Sequence, residues 1–253
     1  MAERIADLTN AWSPHDAHAL DALRDASVQN LRLLYDSSNY VFLADLEHPE
    51  HGAGLGVYKP QRGERPLYDF DYGTLHRREV ATYELARLLG WEMVPPTVER
   101  EGPEGLGSMQ LFIEHNPAEH FFELRSRDDL RDQFIRMAAF DLVANNADRK
   151  GGHVLLDATG RLWGIDQALC FHEHEKLRTV IWDFAGEELP QPLQADLQRA
   201  HDAMRDCDAS SEPLRAFLAD AEVDAFVERA AQLLAQPVLP EMYPWRCVPW
   251  PMI

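Results

Sequence analysis

Apolar residues change their period about half-way along this chain, and that change constrains the fold more than any other feature. Before about residue 115 they come in runs of strand length: Leu31 to Tyr35, Tyr40 to Leu46, Leu55 to Tyr58, Met93 to Val98 and Met109 to Ile113. Turn-forming stretches separate them, among them Asp36-Ser37-Ser38-Asn39, Glu47 to Gly52 and Glu101 to Gly107. Two helical segments accompany these runs. Ser13 to Ala26 reads as a short helix, and His76 to Leu89 as an amphipathic one that Gly90 caps. Beyond residue 115 the pattern becomes helical. Arg127 to Asn145 is a long helix with Leu130, Phe134, Met137, Ala138, Asp141 and Leu142 on one side. Two short strands then bracket a turn at Asp157 to Gly160, and Leu193 to Leu234 is Ala/Leu-rich and helical. Strands first and helices after make an α+β chain, most simply two lobes with a cleft between them.

Charge narrows the function classes. The formal charge of −19 repels phosphate backbones and anionic lipid surfaces, which argues against nucleic-acid and membrane partners. The acidity is uneven: residues 1–54 carry −6 and 183–253 carry −8, while the longer middle, 55–182, carries only −5. Of 24 basic residues only three are lysines, Lys59, Lys150 and Lys176, and all lie in that middle stretch. Arg replaces Lys on a surface but not where a compact ammonium is needed. Three widely spaced cysteines form no C-x-x-C pair, the first residues lack the pattern of a signal peptide, and no apolar run reaches membrane-spanning length. A cytoplasmic setting is the expectation.

Four segments concentrate chemistry. Asp36-Ser37-Ser38-Asn39-Tyr40 is a small polar turn of the kind that lets backbone amides and hydroxyls approach an anion, or it is simply a hairpin. Lys59 ends an apolar strand, where an inward ammonium needs an anionic partner. Glu79, with Glu84 second, offers one from the following helix. Asn145 to Leu156 leads from a helix through a glycine-bearing loop into a strand, and the loop packs Asp148, Arg149, Lys150 and His153 into six residues. Asp166 follows another apolar strand 18 residues beyond Asp148. If the two strands pair, His153 and Asp166 come to one end. A lysine, a loop aspartate and a second aspartate are the equipment of metal-assisted phosphoryl transfer.

The ordered series resembles the phosphatidylinositol 3-/4-kinase branch of the protein-kinase-like superfold, in particular the type II lipid-kinase pattern. It is carried by Ser37-Ser38, Lys59, Glu79 with Val94-Pro95-Pro96-Thr97, Asn146-Ala147-Asp148-Arg149 and Ile165-Asp166. More narrowly, the chain looks like a bacterial, chiefly actinobacterial, set of related proteins of unknown substrate. The resemblance implies one kinase-like domain over 1–253, with an antiparallel-sheet N-lobe (1–114), a hinge at about 110–114 and a mainly helical C-lobe (115–253). It implies an ATP-dependent phosphotransferase using ATP with Mg²⁺ or Mn²⁺. Ser37, Ser38 and Asn39 would cover the phosphates, Lys59 would hold them and Glu79 would orient Lys59. Gln110, Leu111, Phe112 and Ile113 would form the hinge that reads adenine. Asp148, with Arg149 and Lys150 beside it, would serve the acceptor hydroxyl, and Asp166 would hold the metal. His153 stands where lipid kinases have Asn, and a neutral imidazole suits Mn²⁺ or Zn²⁺ better than Mg²⁺.

That departure keeps two other readings open: a non-catalytic nucleotide-binding regulator, and an adenylyl-transferring enzyme on the same cleft. Cys170, His172 and His174, with His153, also read as a zinc site, although C-x-H-x-H is not a usual closed pattern. Lys176 and Arg178 either face an anionic acceptor or are solvated surface charges. The Pro/Trp-rich stretch from Tyr243 to Pro251 reads as a segment that docks back on its own domain, or as a partner-recruiting one.

Overall fold

The computed structural model describes residues 9–34 and 39–253. Five antiparallel strands form the N-terminal sheet: β1 (Ser27–Leu33), β2 (Phe42–His48), β3 (Gly52–Pro60), β4 (Thr97–Gly102) and β5 (Gly105–Leu111), in the order β1-β2-β3-β5-β4. The register pairs Val57 with Leu43 on one side and Gln110 on the other, and Lys59 with Ser108. Alternation then gives the sheet two different faces. Tyr58, Ala44, Leu46, Met109 and Leu111 pack with Trp12 and with Leu23 of helix α1 (Ala19–Asp25). Gly54 belongs to this face because a β-carbon there would lie 2.2 Å from the Trp12 indole. Lys59 lies on the opposite face and meets helix α2 (Leu75–Leu89).

Several boundaries differ from the sequence expectation; the first strand, expected from Leu31, already begins at Ser27. The helix expected from Ser13 begins only at Ala19, because the Asp16 carboxylate accepts from Ser13 N–H and makes a turn there instead. The strand expected from Met93 starts at Thr97. Met93 and Val94 are buried in the larger core, and Pro95-Pro96 supplies no N–H for a ladder. The last strand runs Gly105–Leu111, not Met109–Ile113, because β4 and β5 close tightly around Gly102 and Gly105.

The helical region comprises α3 (Phe121–Leu124), α4 (Arg131–Ala144), α5 (Gln191–Arg205), α6 (Glu212–Arg215) and α7 (Asp220–Ala235), with the hairpin β6 (Val154–Leu156) and β7 (Leu162–Gly164) at its edge. One apolar core joins α4, α5 and α7 through Phe134, Phe140, Leu197 and Phe226, and it extends into Leu85 and Leu89 of α2. At about 1.5–3 kcal/mol for each fully buried large apolar side chain, this core fixes α2 against the helical region. The helix that carries Glu79 therefore bridges sheet and helices.

Helix α4 ends where the site begins. Its C-cap, Asn145, is left-handed at φ 54°, a conformation that Asn tolerates better than most residues. The Asn145 amide then donates to the carbonyls of His172 (2.9 Å) and His174 (2.7 Å), and its oxygen accepts from Lys176 N–H at 2.8 Å. One residue thus ends the helix and fixes the distant segment that faces the loop.

Candidate functional site

Three elements bring Lys59, Glu79 and Asp166 together. The Lys59 ammonium bonds Glu79 Oε1 from α2 and reaches Asp166 Oδ1 at 2.8 Å. Glu84, the other helix carboxylate weighed from sequence, pairs instead with Arg87 at 3.0 Å. Burial works against the Lys59 charge, but Asp166 and Glu79 together hold its pKa above the usual lysine range. Lys59 in turn keeps Asp166 well below the carboxylate range, whereas burial pushes Glu79 up.

The hairpin sets the fourth member. β6 and β7 pair Val154 with Gly164, and Ile165 N–H donates to the His153 carbonyl at 3.0 Å. His153 and Asp166 therefore stand side by side, with Nε2 to Oδ2 at 3.3 Å. Asp166 itself is left-handed, at φ 54°. Burial lowers the His153 pKa to about 4, so the ring is neutral at ordinary pH. Its Nδ1 accepts from Lys150 N–H at 3.4 Å.

Asp148 lies half-buried close to the same group. Its N–H donates to the Asn146 side chain at 3.0 Å, and its carboxylate pairs with Lys150 at 3.1 Å. Burial raises its pKa, while Lys150 and Arg178 oppose the rise. Arg149 points the other way, and a direct part in catalysis does not suit its position. It is wholly buried, bonded to Asp141 of α4 and to the carbonyls of His153 (3.3 Å) and Ile165 (3.1 Å). A loop with Asp148 and Arg149 adjacent presents one side chain outward and one inward, and Arg149 ties the strands of the hairpin to α4.

Ser37 and Ser38 lie outside the described residues; Asn39 accepts from Arg65 N–H at 2.9 Å. Gln110 and Leu111 lie within β5, whose backbone is paired on both sides, and the Gln110 amide donates to Thr97 at 2.9 Å. Phe112 donates its N–H to Leu55 O (3.1 Å) and its carbonyl accepts from the Asn10 amide (2.8 Å). The Ile113 carbonyl in turn meets His115 Nδ1 at 2.8 Å. Asn10 was not foreseen from the sequence. It also accepts from Leu55 N–H at 3.0 Å and so finishes the sheet where β5 ends.

Two further readings are corrected. Lys176, weighed as an acceptor-facing or solvated base, is bonded to Asp69 at 2.8 Å and only 16% of its side chain is exposed. The zinc reading does not assemble. Cys170 is fully buried with its thiol pKa pushed up by burial, and His172 packs its ring edge on Phe70. Among the described residues no group of three or more His, Cys, Asp or Glu stands close enough to hold a metal. A divalent cation fits this site only as the partner of bound phosphates. Asp166 is the ionised carboxylate available to it, with the His153 ring 3.3 Å away.

Comparison with known proteins gives the same outline. No family model matches the chain. It is 36% identical over 273 residues to the Mycobacterium tuberculosis protein Rv2133c, covering 93% of this chain and 95% of that protein. Among solved structures it is similar to the golgi casein kinase (TM-score 0.53, 15% identity, 86% of this chain and 73% of that one). Hydra Fam20 with sugar gives a TM-score of 0.52 at 14% identity, over 85% and 86% of the two chains. The Helicobacter pylori proinflammatory kinase CtkA gives 0.50 at 11% identity, over 86% and 94%. At such identities the likeness is one of fold, and the fold is protein-kinase-like.

Proposed function

From the premise that the chain belongs to the family of the Mycobacterium tuberculosis protein Rv2133c, we propose that it is an ATP-dependent phosphotransferase. The observation that carries this reading is Lys59 bonded at once to Glu79 of α2 and to Asp166 beyond β7. Such an ammonium holds nucleotide phosphates when an adjacent carboxylate keeps it aimed. The proposal includes one domain with an N-lobe to residue 114, a hinge at about 110–114 and a C-lobe after it, in a cytoplasmic setting. It also includes kinship to phosphatidylinositol 3-/4-kinases, supported by the order of the motifs alone.

In this reading Lys59 binds the phosphates, Glu79 orients it, and the Ser37-Ser38-Asn39 loop covers them. Asp148 takes the hydroxyl proton of the acceptor, helped by its raised pKa. Arg149 acts through the hairpin as a positioning residue. Asp166 is the residue that would hold Mg²⁺ or Mn²⁺. That ion, when bound, offsets negative charge on the phosphates.

A second reading, a nucleotide-binding regulator without turnover, is favoured by His153, which stands 3.3 Å from Asp166 where lipid kinases have Asn. An adenylyl transfer on the same cleft would use the same lysine and aspartates. ATP titration with Mg²⁺ or Mn²⁺, followed by analysis of the labelled products, separates the three. Wild-type turnover that releases ADP and is lost in Asp148→Ala supports phosphoryl transfer. Binding without turnover in either metal would sink it.

A further inference from the structure

The chemistry of the acceptor can be read from the segment that lies against Asp148, if the phosphotransferase reading holds. Arg178 is fixed there at both ends of its backbone: its N–H donates to Asn146 O and its carbonyl accepts from Arg149 N–H, each at 2.9 Å. Those two contacts straddle Asp148. The other cations around the loop are neutralised, Lys59 by Glu79 and Asp166, Lys150 by Asp148, Arg149 by Asp141 and Lys176 by Asp69. The Arg178 guanidinium is only partly exposed, and among the described residues its side chain makes no hydrogen bond or ion pair.

The same segment offers nothing to an extended peptide. Its consecutive N–H groups are all used within the chain. Lys176 donates to Asn145 (2.8 Å), Leu177 to Glu175 (2.9 Å), Arg178 to Asn146 (2.9 Å), Thr179 to Cys247 (3.0 Å) and Val180 to Arg149 (3.1 Å). A strand-like substrate needs such an edge unpaired.

The C-terminal segment supplies the outer wall. Its Cys247 carbonyl takes Thr179 N–H, and its Met252 carbonyl accepts from Gly151 N–H at 2.7 Å, beside Lys150. Between these anchors Arg246, Val248, Pro249, Trp250 and Met252 line a shallow surface hollow of their own.

We propose that the acceptor is a small hydroxylated anion whose phosphate or carboxylate group is held by Arg178. The planar Arg178 fork grips two oxygens of such a group and turns the hydroxyl toward Asp148. The hydroxyl oxygen bonds to the γ-phosphorus of ATP as the bond to the β–γ bridging oxygen breaks. ADP leaves with that electron pair, and the hydroxyl proton passes to Asp148. The product is a phosphate ester of the acceptor.

The test separates this proposal from the reading beneath it. The full chain is first saturated with a nonhydrolysable ATP analogue and Mn²⁺; failure to bind the analogue overturns both. Inorganic phosphate and acetate are then titrated into the loaded protein. Saturable binding of one of them, weakened at least about tenfold by Arg178→Gln, partly restored by Arg178→Lys and unaffected by Lys176→Gln, is the expected result. The anion that binds tells phosphate from carboxylate. No saturable binding, or binding indifferent to Arg178, overturns the proposal and leaves the phosphotransferase reading standing. So does faster transfer to casein or glycerol than to glycerol 3-phosphate and glycerate. Should Arg178→Gln fail to fold, the same titration on Arg178→Lys, expected to weaken binding by a smaller factor, decides in its place.

Discussion

The Arg149 guanidinium closes on the Asp141 carboxylate with contacts of 2.9, 3.0 and 3.1 Å, and neither side chain has any exposed surface. Asn146 (3.0 Å) and Thr179 (3.2 Å) complete the coordination of that carboxylate. Helix α4, the loop and the segment after Cys170 thus converge on one buried charge. Arg149→Met leaves it without its cation and should destabilise the protein by about 3–5 kcal/mol. The double variant Asp141→Leu/Arg149→Met should recover much of the loss. Urea midpoints of the wild type, the single and the double variants check this.

Lys59→Met removes the cation shared by two carboxylates and leaves Glu79 buried without its partner. ATP turnover should fall by about 10²–10³, the usual effect of deleting a fixed group at a charged transition state. Glu79→Gln, which can still bond Lys59, should fall far less. Single-turnover assays at saturating ATP give the comparison.

The pH profile of turnover should carry the mark of Asp148. Burial raises its pKa, and the group acts only when ionised, so the acid limb lies above the ordinary carboxylate range. Lys150 opposes the rise. Lys150→Met therefore moves the limb to still higher pH, and a shift toward lower pH would contradict the assignment.

Asn145 makes a prediction with two arms. Asn145→Gly keeps the left-handed backbone but deletes three side-chain bonds, two of them to the carbonyls of His172 and His174. The cost should be about 1–3 kcal/mol. Asn145→Ala adds backbone strain of about 1 kcal/mol at φ 54°. Hydrogen exchange should show both variants loosening residues 172–176 before the helix itself.

The period change and the single lysine ending a strand made the fold and the centre of the site legible, because both follow from local sequence. What stayed hidden depends on pairs far apart in the chain. Lys176 and Asp69 are 107 residues apart, as are Lys59 and Asp166, yet only the second pair lies on segments whose strands announced them. Asn10 sits in a stretch with no periodicity and reaches Phe112, 102 residues away. Arg149 was grouped with its neighbours in the loop, since spacing does not say which side chain of an irregular turn faces inward. The signal was present elsewhere: Asp141 on the apolar side of α4 needed a buried cation.

Lys59 and Asp166 hold each other at 2.8 Å, and that contact couples two ligands that need not touch. A divalent cation that takes Asp166 releases the ammonium, and a polyphosphate that takes Lys59 releases the carboxylate. Each arrival removes a cost the other would have met. Their affinities should therefore be linked reciprocally, the nucleotide tightening with metal by the same factor as the metal tightens with nucleotide. In the proposed function the Lys59–Asp166 contact would act as a latch that both ligands have to open.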